Sequence, residues 1–148
     1  MMTNRTQVDL DDLIAAHEWV SCDGPFETAA YISRADGKIY WEGEGIEEEL
    51  PADIEDGTLY IMVPHRREFD LGARLAIRFA ADQLSGADYD QVRAIFGRRG
   101  AFARFEDLLD RRGRLQLWYD HQNQALIEAL REWCEESGLE LSQKRREP

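Results

Sequence analysis

The sequence predicts an α+β fold: an N-terminal helix, a three-stranded antiparallel meander, then a helical C-terminal half packed on one sheet face. Three observations predict it. Apolar residues recur at the 3.6-residue helical period before residue 20 and again through most of the chain beyond Pro64. Between these stretches, Asp36-Gly37 separates two alternating runs, a strong short-range hairpin signal. A third run rich in β-formers, Thr58–Val63, ends at Pro64.

Leu10, Leu13, Ile14 and His17 share a face of a first helix over Val8–Val20, with Asp9 or Asp11 near its start as the cap. Ser21 to Pro25 break it. Strands at Thr28–Arg34 and Lys38–Gly43 flank Asp36-Gly37. Read as a two-residue turn, this opposes Ala35 to Lys38; Ala30, Ile32, Ile39 and Trp41 then share one face, and Tyr31, Ser33, Tyr40 and Glu42 the other. Glu44–Asp56 holds seven acids with Gly45 and Pro51 and is expected to be a loop. In the third strand Leu59, Ile61 and Val63 lie on one side, Tyr60 and Met62 on the other.

The helical half follows. Glu68–Leu84 buries Phe69, Ala73, Ala76, Phe79, Ala80 and Leu84, with Arg78 and Asp82 paired outside at i,i+4. Asp88 and Gln91 read as the capping box of a short helix to Phe96, stopped by Gly97. Phe102, Phe105, Leu108 and Leu109 repeat at helical spacing, and Arg111, Arg112 and Gly113 end that helix. The last helix buries Leu115, Trp118, Tyr119, Gln122, Leu126, Ala129, Leu130 and Trp133, leaving Leu117, Ile127 and Cys134 for a second contact. Gly138 closes it. With no repeat or linker, one domain is expected over 1–148: helix plus meander to 64, helical half over 65–138, charged tail over 139–148.

Composition excludes several classes. No apolar run approaches the roughly 20 residues a membrane-spanning helix needs, and the first residues have no apolar signal-peptide core; a cytoplasmic location is expected. Cys22 and Cys134 form no CxxC pair and are expected as reduced thiols. The net charge of −12 lies wholly in residues 1–60, where fifteen acids face Arg5, Arg34 and Lys38; residues 61–148 carry fifteen charges of each sign. Sixteen of the eighteen cations are Arg, whose planar guanidinium suits carboxylates and phosphates.

The run Gly100-Ala-Phe-Ala-Arg-Phe-Glu-Asp-Leu-Leu, then Trp118-Tyr119 and Leu130-Arg-Glu-Trp133, resembles the C-terminal signature of the bacterial family known as Uncharacterised Protein Family 0158. Leu10–Ala16, Tyr31–Tyr40 and the strand ending at Pro64 resemble it in the same order. Glu106 departs from the pattern, which is often basic there. The resemblance implies a fold and carries no established activity.

The candidate chemistry is sparse. No GxSxG, Walker, HExxH or spaced acidic metal-binding pattern occurs, so no catalytic residue, metal or cofactor is assigned. His17, on an apolar stripe, reads as a hydrogen-bonded core histidine. His65, Arg66 and Arg67, between a strand end and a helix start, are an anion-binding candidate, set against a solvated basic turn. Arg98, Arg99, Arg104, Arg111 and Arg112, with Arg93 and Arg114, form an Arg cluster; the bland reading is that they neutralise nearby acids, with Arg104 holding a carboxylate or helix end internally. The acidic total opposes nucleic acid as a partner. The leading expectation is a non-catalytic binding or adaptor protein, monomer or homodimer, with a protein partner. The alternatives are a nucleic-acid or phosphometabolite binder using the Arg cluster, and a hydrolase centred on His65 with acids from Glu44–Asp56.

Overall fold

The computed structural model describes residues 5–22 and 24–143. Its architecture is α+β, and the chain divides into two compact units: one formed by the described residues up to Phe69 together with those from Ala129 on, the other by Asp70–Glu128.

In the first unit, helix α1 (Leu10–Val20) follows a short strand, β1 (Thr6–Asp9). The Asp9 carboxylate accepts the Asp12 N–H at 3.1 Å, capping a helix that buries Leu10, Leu13, Ala16, His17 and Val20. Strands β2 (Ala29–Ser33), β3 (Ile39–Glu42) and β4 (Tyr60–Met62) form an antiparallel sheet in the order β3-β2-β4. The expected strands are present, but β2 rather than β3 is central, because the acidic loop carries the chain back past the hairpin instead of turning beside β3. Ala30 and Ile32 are fully buried on the face against which α1 packs.

The hairpin register differs from the two-residue reading. Ile32 opposes Ile39 and Ala30 opposes Trp41, a slip of two residues that leaves every side chain on its expected face. The longer turn is held by Gly37 N–H donating to the Ser33 carbonyl and Ser33 N–H to the Lys38 carbonyl, each at 2.8 Å. Gly37 has φ +78, and a Cβ there would lie 2.1 Å from the Gln7 carbonyl oxygen, so the turn rests against β1.

One expectation fails at the end of the chain. Leu139–Ser142 is a strand, β5, paired in parallel with β1, Leu139 opposite Thr6 and Leu141 opposite Val8, with Leu139 and Val8 both buried; the expected tail over 144–148 lies outside the described residues. Cys134, off the main apolar stripe of the last helix, is fully buried, so its second contact is made within the chain.

The second unit is helical: α2 (Ala73–Gln83), α3 (Gly86–Ile95), α4 (Ala101–Arg111) and the first part of α5 (Leu115–Glu136). Trp118 has no exposed surface and sits edge-on to Phe79 and Phe105, at centroid distances of 5.3 and 5.1 Å. Leu75, Ala76, Ala80, Val92, Leu108 and Leu109 complete this core. Ser85, not Asp88, caps α3, accepting the Asp88 N–H at 3.3 Å. The expected continuous helix from Glu68 is a 3-10 turn over Arg66–Glu68 followed by α2, and Ala73 is exposed. Gly113, at φ +68, ends α4: its N–H donates to the Asp110 carbonyl, and Arg114 N–H to that of Leu109. Tyr119 is exposed, since a 22-residue helix presents different faces along its length. Among the described residues, no helix is long and apolar enough to cross a membrane.

Candidate functional site

The turn after Pro64 is built largely from its own side chains. His65 N–H donates to a Glu68 carboxylate oxygen at 2.8 Å, and Arg67 N–H to His65 Nδ1 at 3.1 Å, a reciprocal cap on the 3-10 turn. Arg66 N–H donates to the Ser21 hydroxyl at 3.0 Å. These three backbone donors, which an anion at this turn would need, are therefore taken, and a carboxylate already occupies the anion's position. His65 is half-buried, while the Arg66 and Arg67 side chains are exposed.

His17 is what its apolar stripe implies. It is 3% exposed, and its Nδ1–H donates to the Pro64 carbonyl at 2.8 Å. Burial lowers its pKa despite that bond, keeping the ring neutral.

The Arg cluster is brought to the surface of the helical unit. Arg112 forks onto both oxygens of Asp88, at 2.8 and 3.1 Å, holding that carboxyl below its ordinary range. Arg98, Arg99, Arg104 and Arg111 are exposed, and none has a carboxylate within ion-pair distance among the described residues. Local neutralisation thus holds for Arg112 alone of the five. Arg104 is not internal, because the stripe that buries Phe105 and Leu108 turns position 104 outward. Other guanidiniums bind main chain: Arg34 Nε donates to the Gly57 carbonyl and its Nη1 to that of Ser137, both at 3.0 Å, and Arg5 Nη1 to that of Glu135 at 3.2 Å.

A site not singled out by sequence lies on the outer face of the β3-β2-β4 sheet. Pairing of Tyr31 with both Tyr40 and Met62, and of Ser33 with Tyr60, puts three tyrosines and a methionine on one surface, opposite the face that α1 covers. Tyr40 and Tyr60 meet edge-on at 6.0 Å, and Met62 is 58% exposed. Carboxylates border it. Tyr31 Oη donates to Glu42 at 3.2 Å and Tyr60 Oη to Asp53 at 3.1 Å. Burial, then these acids, raises both phenol pKa values, with Glu55 adding to the effect on Tyr31 and Asp36 to that on Tyr60. A cation on this surface, Lys38, lies 4.6 Å from the Tyr40 ring centroid and 3.0 Å from Glu48. The alternation of Tyr31, Tyr40 and Tyr60 was legible; the acidic rim beside them was not, because it depends on where residues 44–56 return.

A hollow of about 350 Å3 near β1 and β5 is lined by Arg5, Arg131, Glu135 and Glu140, whose charges offset one another. Among the described residues, no three His, Cys, Asp or Glu side chains converge into a set that could hold a metal ion. Comparison of the chain with protein-family models, curated proteins and solved structures finds no match.

Proposed function

We propose that the protein is a cytoplasmic, non-catalytic protein-binding module whose first unit engages a partner through the outer face of its sheet. The observation that carries this reading is the exposure of Met62 on the edge strand of the aromatic surface, paired with Tyr31. Tyrosine and methionine are enriched at protein interfaces, and the tyrosine ring supplies contact area at low entropic cost. Two free cysteines, Cys22 and Cys134, support the reducing compartment. The resemblance to Uncharacterised Protein Family 0158 supports a relationship of fold and adds no activity. A photo-crosslinking amino acid at position 62 tests the reading. Discrete crosslinked partners are expected from that site and not from one at exposed Glu128; an equal or empty pattern at the two sites overturns it.

A second reading makes the helical unit an anion binder, for nucleic acid or a phosphorylated metabolite. The exposure of Arg98, Arg99, Arg104 and Arg111 without carboxylate partners among the described residues supports it. A gel-shift titration and an inorganic-phosphate titration at low salt, where such contacts are strongest, test it; no binding in either eliminates it.

A further inference from the structure

The outer sheet face has a composition that selects one kind of partner. Its ring surfaces are Tyr31, Tyr40 and Tyr60, with Met62 as the exposed apolar contact. Around them stand Asp36, Glu42, Glu48, Asp53 and Glu55, with Lys38 among them. Tyrosine faces attract cations through the ring quadrupole, and carboxylates at the rim add long-range attraction and steering. The chain displays this chemistry on itself. Lys38 places its ammonium over Tyr40 while bonding Glu48, which shows that the combination of ring and carboxylate holds a cation.

We infer that this face is a docking surface for a lysine- or arginine-bearing segment of a partner protein, with cationic side chains over the Tyr31 and Tyr60 rings and apolar ones against Met62. The inference rests on the protein-binding reading and adds the partner's charge. Charge complementarity chooses the occupant: residues 1–60 carry the whole net charge of −12, so an acidic or neutral segment lacks the attraction that the rim supplies. A second copy of the chain would bring the same carboxylates against themselves.

The test uses the full chain with backbone amide resonances followed by NMR. The probes are an eight-residue peptide alternating lysine with alanine and its glutamate counterpart. The lysine peptide is expected to shift the amides of Tyr31, Tyr40, Tyr60 and Met62, to bind at least about tenfold more tightly than the glutamate peptide, and to weaken as salt is raised. The triple variant Glu42→Gln, Asp53→Asn, Glu55→Gln retains the tyrosine hydroxyl acceptors, and is expected to keep its circular dichroism while losing about tenfold in affinity. Equal binding of the two peptides, shifts confined to other elements, or self-association that covers these amides without peptide overturns the inference. A partner crosslinked at position 62 that is indifferent to the three carboxylates removes only the cationic assignment. An empty crosslinking pattern at position 62 removes the protein-binding reading as well.

Discussion

His17 Nδ1 and the Pro64 carbonyl oxygen are 2.8 Å apart inside the first unit, so a helix near the start of the chain and the end of the third sheet strand are joined by one buried hydrogen bond. The donor is the imidazole N–H, since the carbonyl can only accept. The ring also meets Phe69 at a centroid distance of 5.6 Å.

This pair makes a pH prediction. Burial lowers the folded-state pKa of His17 below its ordinary value of 6.5, with His65 and Arg66 lowering it further and the Pro64 bond and Glu18 opposing. The unfolded chain therefore binds a proton that the folded protein resists. The stabilisation is fully present above pH 6.5 and is lost as pH falls from there through the folded pKa, with a slope of at most about 1.4 kcal/mol per pH unit. Urea denaturation at pH 7.5, 6.5 and 5.5 checks it: His17→Gln is expected to be less stable than wild type at pH 7.5 and to show a shallower decline.

Arg34 ties the hairpin turn to two distant main-chain carbonyls, those of Gly57 and Ser137. Arg34→Ala is expected to cost about 2 kcal/mol in denaturant unfolding, and Arg34→Lys to recover only part, because an ammonium lacks the planar fork. Faster hydrogen exchange near Leu59 and Gly138 in the variant would locate the loss; unchanged exchange there contradicts the assignment.

Gly37 and Gly113 share a left-handed backbone, at φ +78 and +68, but differ in their surroundings. Nothing lies within 4 Å of a Cβ at Gly113, so Gly113→Ala is expected to cost only the conformational strain, about 1–2 kcal/mol. Gly37→Ala adds a collision with the Gln7 carbonyl, which is main chain and moves only with β1. Its melting temperature is expected to fall further, and equal shifts in the two variants would contradict that contact.

The two thiols separate by environment. Burial pushes Cys134 up to about 11, whereas Cys22 is exposed. Mass spectrometry after iodoacetamide at pH 8 is expected to show one alkylation per native chain, on Cys22, and two after unfolding in urea.

Local patterns were legible where period and packing agree. Ala30, Ile32, Ile39 and Trp41 alternate over enough residues to declare a buried face, and a slip of two preserves it. The helix stop at Gly113 was written in two arginines and a glycine. What failed was non-local. Thr6–Asp9 and Leu139–Ser142 are four residues each, too short for period 2 to outweigh their charged neighbours, and each is a strand only because the other is there. At the candidate sites, His65 and its arginines were visible as residue types. That Ser21, 45 positions away, takes the Arg66 N–H could not be read locally. The tyrosine face was visible as alternation, but its acidic rim depends on the path of a loop.

The helical unit is one uninterrupted stretch, Asp70–Glu128, whereas the sheet-bearing unit is assembled from chain on either side of it. During synthesis on the ribosome the helices have everything they need as soon as Glu128 clears the exit tunnel. β1 must wait unpaired until Leu139–Ser142 arrives. A nascent chain that has emerged as far as residue 130 thus carries the whole helical stretch beside an open half-module, the form in which a chaperone would meet it.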